Sequence, residues 1–363
     1  MGDFGNVQMN KRIFKSQTLD SGDVPFYKIG TFGKKADAYI SSELYEEYRN
    51  KYPYPKDGDL LISASGSIGK IVEYKGQRAY YQDSNIVWLD HDNRILNLFL
   101  KAFFQIVKWN GTEGSTIKRL YNKNILNTEI ILPKIKEQTA VGKLIEKFDY
   151  LITLQQRKLE QLKQLKKAML QQLFVNKNNK QPILKFKNFR NNWREYKLSE
   201  IVNLEDNKRK PVKATERIRG KIPYYGANGI QDYVKGYTHI GKHVLIAEDG
   251  ANSVDDYPIY FIYSPSWINN HTHVLTAKEE ILSSEFLAYA LKKINYAKYL
   301  VGSGRYKLNA EILKLIPLKI PTMNEQKYIE SNLSKIDKLI ILQQNKLTQL
   351  TTLKRYLLQK LFI

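Results

Sequence analysis

A few groups of residues have the types and spacing that chemistry needs. Asp59 followed by Glu73-x-Lys75 is an order in which a nuclease can hold Mg²⁺ on carboxylates and activate a water. In a chain that is 26% charged such an order arises readily, and the second half of the sequence lacks the Glu-x-Lys. His239 with His243, and His271 with His273, have spacings compatible with zinc, since His-x-His on a strand turns both rings to one face. No acidic or cysteine ligand sits nearby, and strand histidines are ordinarily structural. Methyl transfer to a base would need Asn/Asp-Pro-Pro-aromatic, and the sequence has no Pro-Pro pair. A nucleotide motor would need Gly-x4-Gly-Lys-Ser/Thr, but Ala64 to Ile71 has Ala at the first Gly and Ile after the Lys. The chain therefore reads as noncatalytic by itself, with no metal and no cofactor of its own.

What remains is the chemistry of recognition. The loop Ser63 to Lys70 and its counterpart Ala247 to Ser253 are rich in small residues. Glycines there allow close backbone approach, and hydroxyl or amide groups can bond phosphates or base edges. A plain turn would use the same residues. Lys118-Arg119 and Arg305-Tyr306-Lys307 stand at equivalent places, and arginine can bond guanine through two parallel hydrogen bonds. Aromatic residues interleave with basic ones at Tyr80-Tyr81, Tyr224-Tyr225 and Arg305-Tyr306-Lys307, which favours nucleic-acid contact over plain solubilising charge. The expected DNA-contacting set is Lys11, Arg12, Ser63, Ser65, Ser67, Lys70, Tyr80, Tyr81, Gln82, Lys118 and Arg119 in the first half. In the second half it is Lys208, Arg209, Lys210, Tyr225, Asn228, Asn252, Arg305, Tyr306 and Lys307.

These residues are positioned by a sequence that occurs twice. Residues 133–175 and 321–363, at a constant offset of 188 (321 minus 133), share 20 of 43 positions without a gap. Both open P-x-x-x-E-Q and contain D-x-L-I-x-L-Q-Q-x-K-L. Apolar residues recur at three- and four-residue steps: Leu144, Phe148, Leu151, Leu162, Leu165 and Met169 in one copy, Leu333, Ile336, Leu339, Leu350, Leu353 and Leu357 in the other. That is the seam of a coiled coil. The chain order, globular segment, helix, globular segment, helix, requires the two helices to be antiparallel if they pair. The fold expected is α+β: two mixed α/β heads separated by a long antiparallel two-helix coiled coil, with a pseudo-twofold internal repeat.

The heads repeat as well. KIPYYGANG matches DVPFYKIGT at Pro223 and Pro25, and GSGRYKLNAEILKLIPLKIP parallels GSTIKRLYNKNILNTEIILP at the 188 offset. Alternating apolar and polar residues between Gly/Asp punctuation read as half-buried strands. The expected boundaries are residues 1–132 for the first head, 133–175 for the first helix, 176–192 for a linker, 193–320 for the second head and 321–363 for the second helix. The opening of the second head, WREYKLSEIVNLEDNK, finds no counterpart in the first, whose opening strand is expected to be missing.

The formal net charge of +22 favours a polyanion, nucleic acid first, over small acidic substrates. The surplus is uneven, with seven Lys/Arg against the single Glu195 between Lys177 and Lys197. There are no cysteines, no apolar run long enough for a membrane span, and no signal peptide in MGDFGNVQMNKR, so a cytoplasmic protein is expected.

With the doubled helix motif in place at Pro133 to Leu159 and Pro321 to Leu347, the chain resembles, over nearly its full length, the specificity subunits of type I restriction-modification systems. The resemblance implies two target-recognition domains, each reading half of a split double-stranded DNA target. It implies two methyltransferase subunits docked on the helices, and it allows for two further motor/nuclease subunits. Gln155, Gln156, Leu159 and Leu162, with Gln343, Gln344, Leu347 and Leu350, are then the partner-facing positions. S-adenosylmethionine, ATP and Mg²⁺ would sit on those partners. A stand-alone nuclease built on Asp59, Glu73 and Lys75, or a basic helical scaffold for RNA or acidic partners, are the other readings.

Overall fold

A computed structural model describes residues 1–109, 119–175, 179–189, 191–302 and 306–362. The chain divides into two compact units, Met1–Gln156 with Asn345–Ile363, and Arg157–Gln344.

In the first unit, β1 (Gly5–Met9), β4 (Leu60–Ser63), β5 (Ile71–Glu73) and β7 (Ile86–His91) form an antiparallel sheet in the order β1-β7-β4-β5. All four residues of β4 are buried, as a strand covered on both faces requires. A smaller sheet joins β3 (Tyr39–Ile40), β2 (Val24–Tyr27) and β6 (Tyr80–Tyr81), the last two parallel. Helix α1 (Ser42–Lys51) starts because the Ser41 hydroxyl accepts the Leu44 N–H, and Arg49 and Lys51 suit its C-terminal end. It lays Tyr45 and Tyr48 on the small sheet. Helix α2 (Asn97–Phe103) packs Phe99 and Leu100 with Leu60, Ile62, Val87 and Leu89, and α3 (Asn122–Leu126) contributes the buried Ile125. The chain then enters α4 (Ile135–Leu173), which begins in this unit and ends in the other.

The second unit repeats the plan. It adds one strand pair, β8 (Arg194–Lys197) with β16 (Pro317–Ile320), linked through α5 (Leu198–Ile201) and α7 (Ala310–Leu315). Its antiparallel sheet runs β13-β12-β15-β9, from β9 (Val202–Leu204), β12 (His243–Ala247), β13 (Ile259–Ile262) and β15 (Thr272–Ala277). Its small sheet runs β11-β10-β14, from β10 (Arg219–Gly226), β11 (Gly229–Val234) and β14 (Trp267–Ile268). Helix α6 (Ser284–Leu291) packs beneath the larger sheet through Phe286 and Leu287. Strand β9 stands beside β15 as β1 stands beside β7, while no pair equivalent to β8 and β16 occurs among the described residues of the first unit.

Helix α4 and helix α8 (Met323–Leu361) are both 39 residues long, and their bounds differ by 188 at each end. Each is fixed to a head by the glutamine of P-x-x-x-E-Q. The Gln138 side-chain amide donates to the carbonyls of Arg94 (2.9 Å) and Pro133 (3.0 Å) and accepts from Leu96 N (2.9 Å). Gln326 donates to Ile281 (2.9 Å) and Pro321 (3.0 Å) and accepts from Ser283 N (2.9 Å). The next contact differs between the copies. At Gly142 an added Cβ would lie 2.5 Å from the Leu98 side chain and 2.9 Å from its backbone, so glycine lets α2 approach α4. At the matching position Glu330 instead accepts from Ser283 Oγ (2.5 Å) and Phe286 N (3.0 Å), capping α6.

The helix ends close the cores. Phe362 lies 5.0 Å from Phe99 in the first unit, and Phe174 stacks 5.3 Å from Phe286 in the second. Asp149 pairs with Lys354 in the first unit, and its repeat image, Lys166 with Asp337 at 2.5 Å, lies in the second. Within the first unit Ile145 packs with Leu358, so there the helices run antiparallel. The seam corrects part of the heptad reading: Leu333 and Ile336 are buried as expected, but Leu144, Leu165, Leu339 and Leu353 are exposed, and Val141, Ile145, Leu159 and Leu358 are buried beside them. Three- and four-residue spacing marks an apolar stripe without telling its inner edge from its outer one. Among the described residues no helix is long and apolar enough to cross a membrane.

Candidate nucleic-acid interface

Three segments meet at one end of the two central strands of each larger sheet. In the first unit Ala64 N donates to Asn85 O, Leu120 N donates to Ala64 O, and Ser65 bridges to Arg119. In the second unit Glu248 N donates to His271 O, Leu308 N donates to Glu248 O, and Asp249 bridges to Lys307. The same ladder therefore equates Ser65 with Asp249, Asn85 with His271 and Arg119 with Lys307. On one frame, a Ser65 Oγ to Asn85 Oδ1 hydrogen bond (2.7 Å) takes the place that the Asp249–His271 contact takes in the other. One face offers neutral hydroxyl and amide groups; the other offers an acid and an imidazole.

The first-unit residues fall into two groups. Ser63 is buried, its hydroxyl donating to Ser67 O and accepting from Lys70 N (2.8 Å), which closes the turn. Lys70 Nζ turns back to Phe32 O (2.5 Å). Tyr80 and Tyr81 sit in the core, the Tyr80 hydroxyl donating to Lys11 O (3.0 Å), so these rings shape the small sheet. Gln82 Oε1 accepts from Ile29 N (2.9 Å). At the loop edge, half-buried Ser65 and Arg119 and exposed Ser67 remain, with Lys11 and Arg12 exposed. Arg12 lies 3.6 Å from Asp83, and Arg119 Nη2 donates to Ser84 O (3.0 Å). Ser84 has a φ of 51°, a left-handed backbone unfavourable for a residue with a Cβ, and so marks a constrained turn between these two arginines. Lys118 and Arg305 lie outside the described residues.

In the second unit Asn228 holds two loops together, donating to Gly250 O (2.9 Å) and accepting from Asn252 N (2.9 Å). Tyr306 is exposed. Tyr225 packs against Tyr260. Lys208 pairs with Glu205 at 2.5 Å, and Lys210 is exposed. Arg209 is drawn inward: its Nη1 is 2.7 Å from Glu248, which also holds Lys307 at 3.1 Å, and its Nη2 is 3.4 Å from Asp206. His273 Nδ1 is 2.5 Å from Asp206 and its Nε2 is 2.7 Å from Leu308 O.

Asp206, Glu248 and His273 form the one trio of metal-capable side chains among the described residues. Arg209 and Lys307 already neutralise the two carboxylates, and both imidazole nitrogens of His273 have partners, so the group is a closed ion network. His239 and His243 likewise bond to Thr238, Glu205 O, Thr276 and Ile240 O. Asp59 accepts from Lys56 N (2.7 Å) while Glu73 pairs with Lys101 (2.5 Å), so these two carboxylates serve separate partners. Lys75 bonds through its backbone to Gln77.

Burial works to raise the Glu248 carboxyl, yet hydrogen bonds from Arg209 and Lys307 hold it below the ordinary glutamate range. A depressed folded-state value stabilises the protein above the unfolded value, and that contribution is lost as pH falls through the depressed one. Glu248→Gln is therefore expected to cost about 2 kcal/mol near neutral pH, because Lys307 loses this ion-pair partner and Arg209 keeps only Asp206. The difference from wild type should close in acid, as seen by urea unfolding at a series of pH values. A difference that grows on acidification would contradict the network.

On the helices Gln155, Gln343 and Leu159 are buried, Gln156 and Gln344 are exposed, and Leu162, Leu347 and Leu350 are half-buried. The repeat also exposes apolar side chains that heptad reading placed inside or passed over. Leu154 and Leu353 are exposed in the first unit, and their images Leu342 and Leu165 in the second.

The family described as the type I restriction modification DNA specificity domain matches residues 1–164 and 190–352. A Haemophilus influenzae chain designated specificity subunit S.HindORF215P is 56% identical over 152 residues, which is 42% of this chain and 40% of that one. The MjaVIII specificity subunit of Methanocaldococcus jannaschii is 25% identical over 348 residues, 86% of this chain and 80% of its own. The crystal structure of the type I restriction-modification S subunit from M. genitalium shares the fold, with a TM-score of 0.70 at 18% identity, covering 100% of this chain and 94% of that one.

Proposed function

Since the chain belongs to the type I restriction-modification DNA specificity family, we propose that it reads a bipartite double-stranded DNA target, one half-site per unit, and carries the subunits that act on it. The observation that carries this reading is the pair of equivalent loop faces. Ser65, Asn85 and Arg119 on one frame, and Asp249, His271 and Lys307 on the other, present different donors and acceptors from matching places. Sequence choice comes from such base-edge contacts, while the Lys/Arg surplus supplies affinity through phosphates. The repeated exposed leucines, Leu154 with Leu353 and Leu342 with Leu165, suit two copies of one partner, here assigned as two methyltransferase subunits with room for two motor/nuclease subunits. S-adenosylmethionine, ATP and Mg²⁺ belong to those partners in this reading.

In complex with its methyltransferase partner, Arg119→Ala is expected to weaken binding to the cognate duplex by about 1–3 kcal/mol and relax choice in one half-site only. Competition against duplexes scrambled in one half or the other reads this directly. Equal affinity of the wild-type complex for cognate and fully scrambled duplexes would sink the proposal.

A further inference from the structure

The two small sheets are built alike but finished differently. Parallel pairing sets Phe26 beside Tyr80 in the first unit and Tyr224 beside Trp267 in the second. In the first unit Tyr48 and Tyr54 bring their rings to 6.2 Å from Tyr80, and the position is filled. The second unit has no α-helix there among the described residues, only a single 3-10 turn, Ala214–Glu216, and a cavity of about 300 Å³ opens beside it over Tyr224 and Trp267.

Its walls have a definite chemistry. Tyr224 and Trp267 are stacked at 26°, and the Arg217 guanidinium lies 4.1 Å over the Tyr224 ring. That guanidinium is held in place by the Val212 carbonyl (3.2 Å) and by Asp232 (3.5 Å), which makes it a fixed planar shelf. The Tyr224 hydroxyl accepts from Val212 N (3.0 Å), and the Trp267 indole N–H donates to Lys210 O (2.7 Å). The ring edges are thus spent on the protein while apolar surface lines the cavity. Gly236, with φ at 88°, brings no side chain near Trp267, where a Cβ would approach its ring to 3.3 Å. At the mouth stand Lys210 and Lys235, both exposed, against the single acid Glu216.

We propose that this cavity of the second unit is a binding site for one unpaired nucleotide, its base stacked on the half-buried Trp267 ring and the Arg217 guanidinium, which itself lies on buried Tyr224, and its phosphate held by Lys210 and Lys235. A flat ring with an attached anion is the ligand class that aromatic walls and a cationic rim both favour. A cavity of this size holds a small ligand and excludes a duplex. The nucleotide has two sources, a free nucleoside monophosphate or an extrahelical base in DNA. The site does not depend on half-site reading, so cognate duplex binding is measured alongside as a separate quantity.

The test uses 2-aminopurine riboside monophosphate, the unphosphorylated riboside, and a duplex with a single bulged 2-aminopurine, each titrated into the full chain with fluorescence quenching as the readout. Saturable quenching by the monophosphate is expected, with binding about tenfold weaker for the riboside and for Lys235→Glu. Arg217→Lys, which keeps the charge and loses the plane, should weaken the riboside and the monophosphate alike. Lys235 is exposed, so its variant folds, as a thermal melt will verify. Quenching by the bulged duplex that Lys235→Glu abolishes assigns the source to DNA; quenching by the monophosphate alone assigns it to free nucleotide. No saturable quenching by either, quenching unchanged in both variants, or occupation by an indole-containing peptide in place of the nucleotide overturns the proposal.

Discussion

Replacing Gln326 by leucine is expected to remove about 4 kcal/mol from the second unit, enough to bring an ordinary domain close to its unfolding threshold. The side chain is fully buried and makes three hydrogen bonds at once, two donated to the Ile281 and Pro321 carbonyls and one accepted from Ser283 N. Leucine matches the volume but strands all three backbone groups away from water, and each orphan costs roughly 1–3 kcal/mol, offset in part by relaxation. Gln138→Leu should do the same to the first unit, where the Arg94, Pro133 and Leu96 groups would be stranded.

The informative control is Gln326→Glu. It keeps the acceptor for Ser283 N but turns carboxylate oxygens on two carbonyls, so it should be as damaging as leucine and recover partly in acid. Hydrogen exchange followed by mass spectrometry separates the units, because each substitution should raise exchange in its own head and adjoining helix turns. A loss below about 1 kcal/mol, or uniform exchange across both units, would mean that the glutamine is not the joint.

That joint shows what could be read in advance and what could not. The repeated P-x-x-x-E-Q was visible as text, and the 39-residue helices follow from it with their ends two residues inside the repeat. The reason for the glutamine was hidden, because two of its three partners, the backbone groups of Arg94 and Leu96, lie some forty residues upstream and carry no side-chain signature; only Pro133 belongs to the motif itself. Tyr80-Tyr81 and Tyr224-Tyr225 look alike as aromatic pairs near basic residues. In the structure Tyr80, Tyr81 and Tyr224 are all buried, but Tyr224 lies in the wall of a cavity, since α1 covers one small sheet and nothing comparable among the described residues covers the other. The ion network of Glu248, Arg209, Asp206 and Lys307 was also out of reach. It joins residues up to about a hundred positions apart, and the first unit fills the matching place of Glu248 with Ala64 and that of His273 with Val87. Such differences between two copies of one frame are where their separate roles are written.

Exchange of residues 193–320 for the matching segment of another family member is expected to replace one half of the methylated sequence and leave the other half and the gap unchanged. Each unit has its own core, so a transplanted head carries its own loop face intact. Among the contacts that cross the junctions, the Gln326 bonds reach backbone groups at Ile281 and Ser283, whereas two others depend on the donor's side chains: the Trp193 indole donates to Glu325 (3.3 Å), and Phe174 stacks on Phe286. A donor with Trp at the first place and an aromatic ring at the second preserves them; without them the helix end loses its seat, and a failed exchange reports packing and says nothing about recognition. Lengthening α4 between Leu159 and Leu170 is the complementary change, expected to alter the gap and spare both half-sites. Genome-wide adenine methylation mapping reads both experiments on one scale. A head exchange that changes both halves, with folding verified, would show that the two faces do not read independently, and the difference between Ser65–Asn85 and Asp249–His271 would then need another explanation.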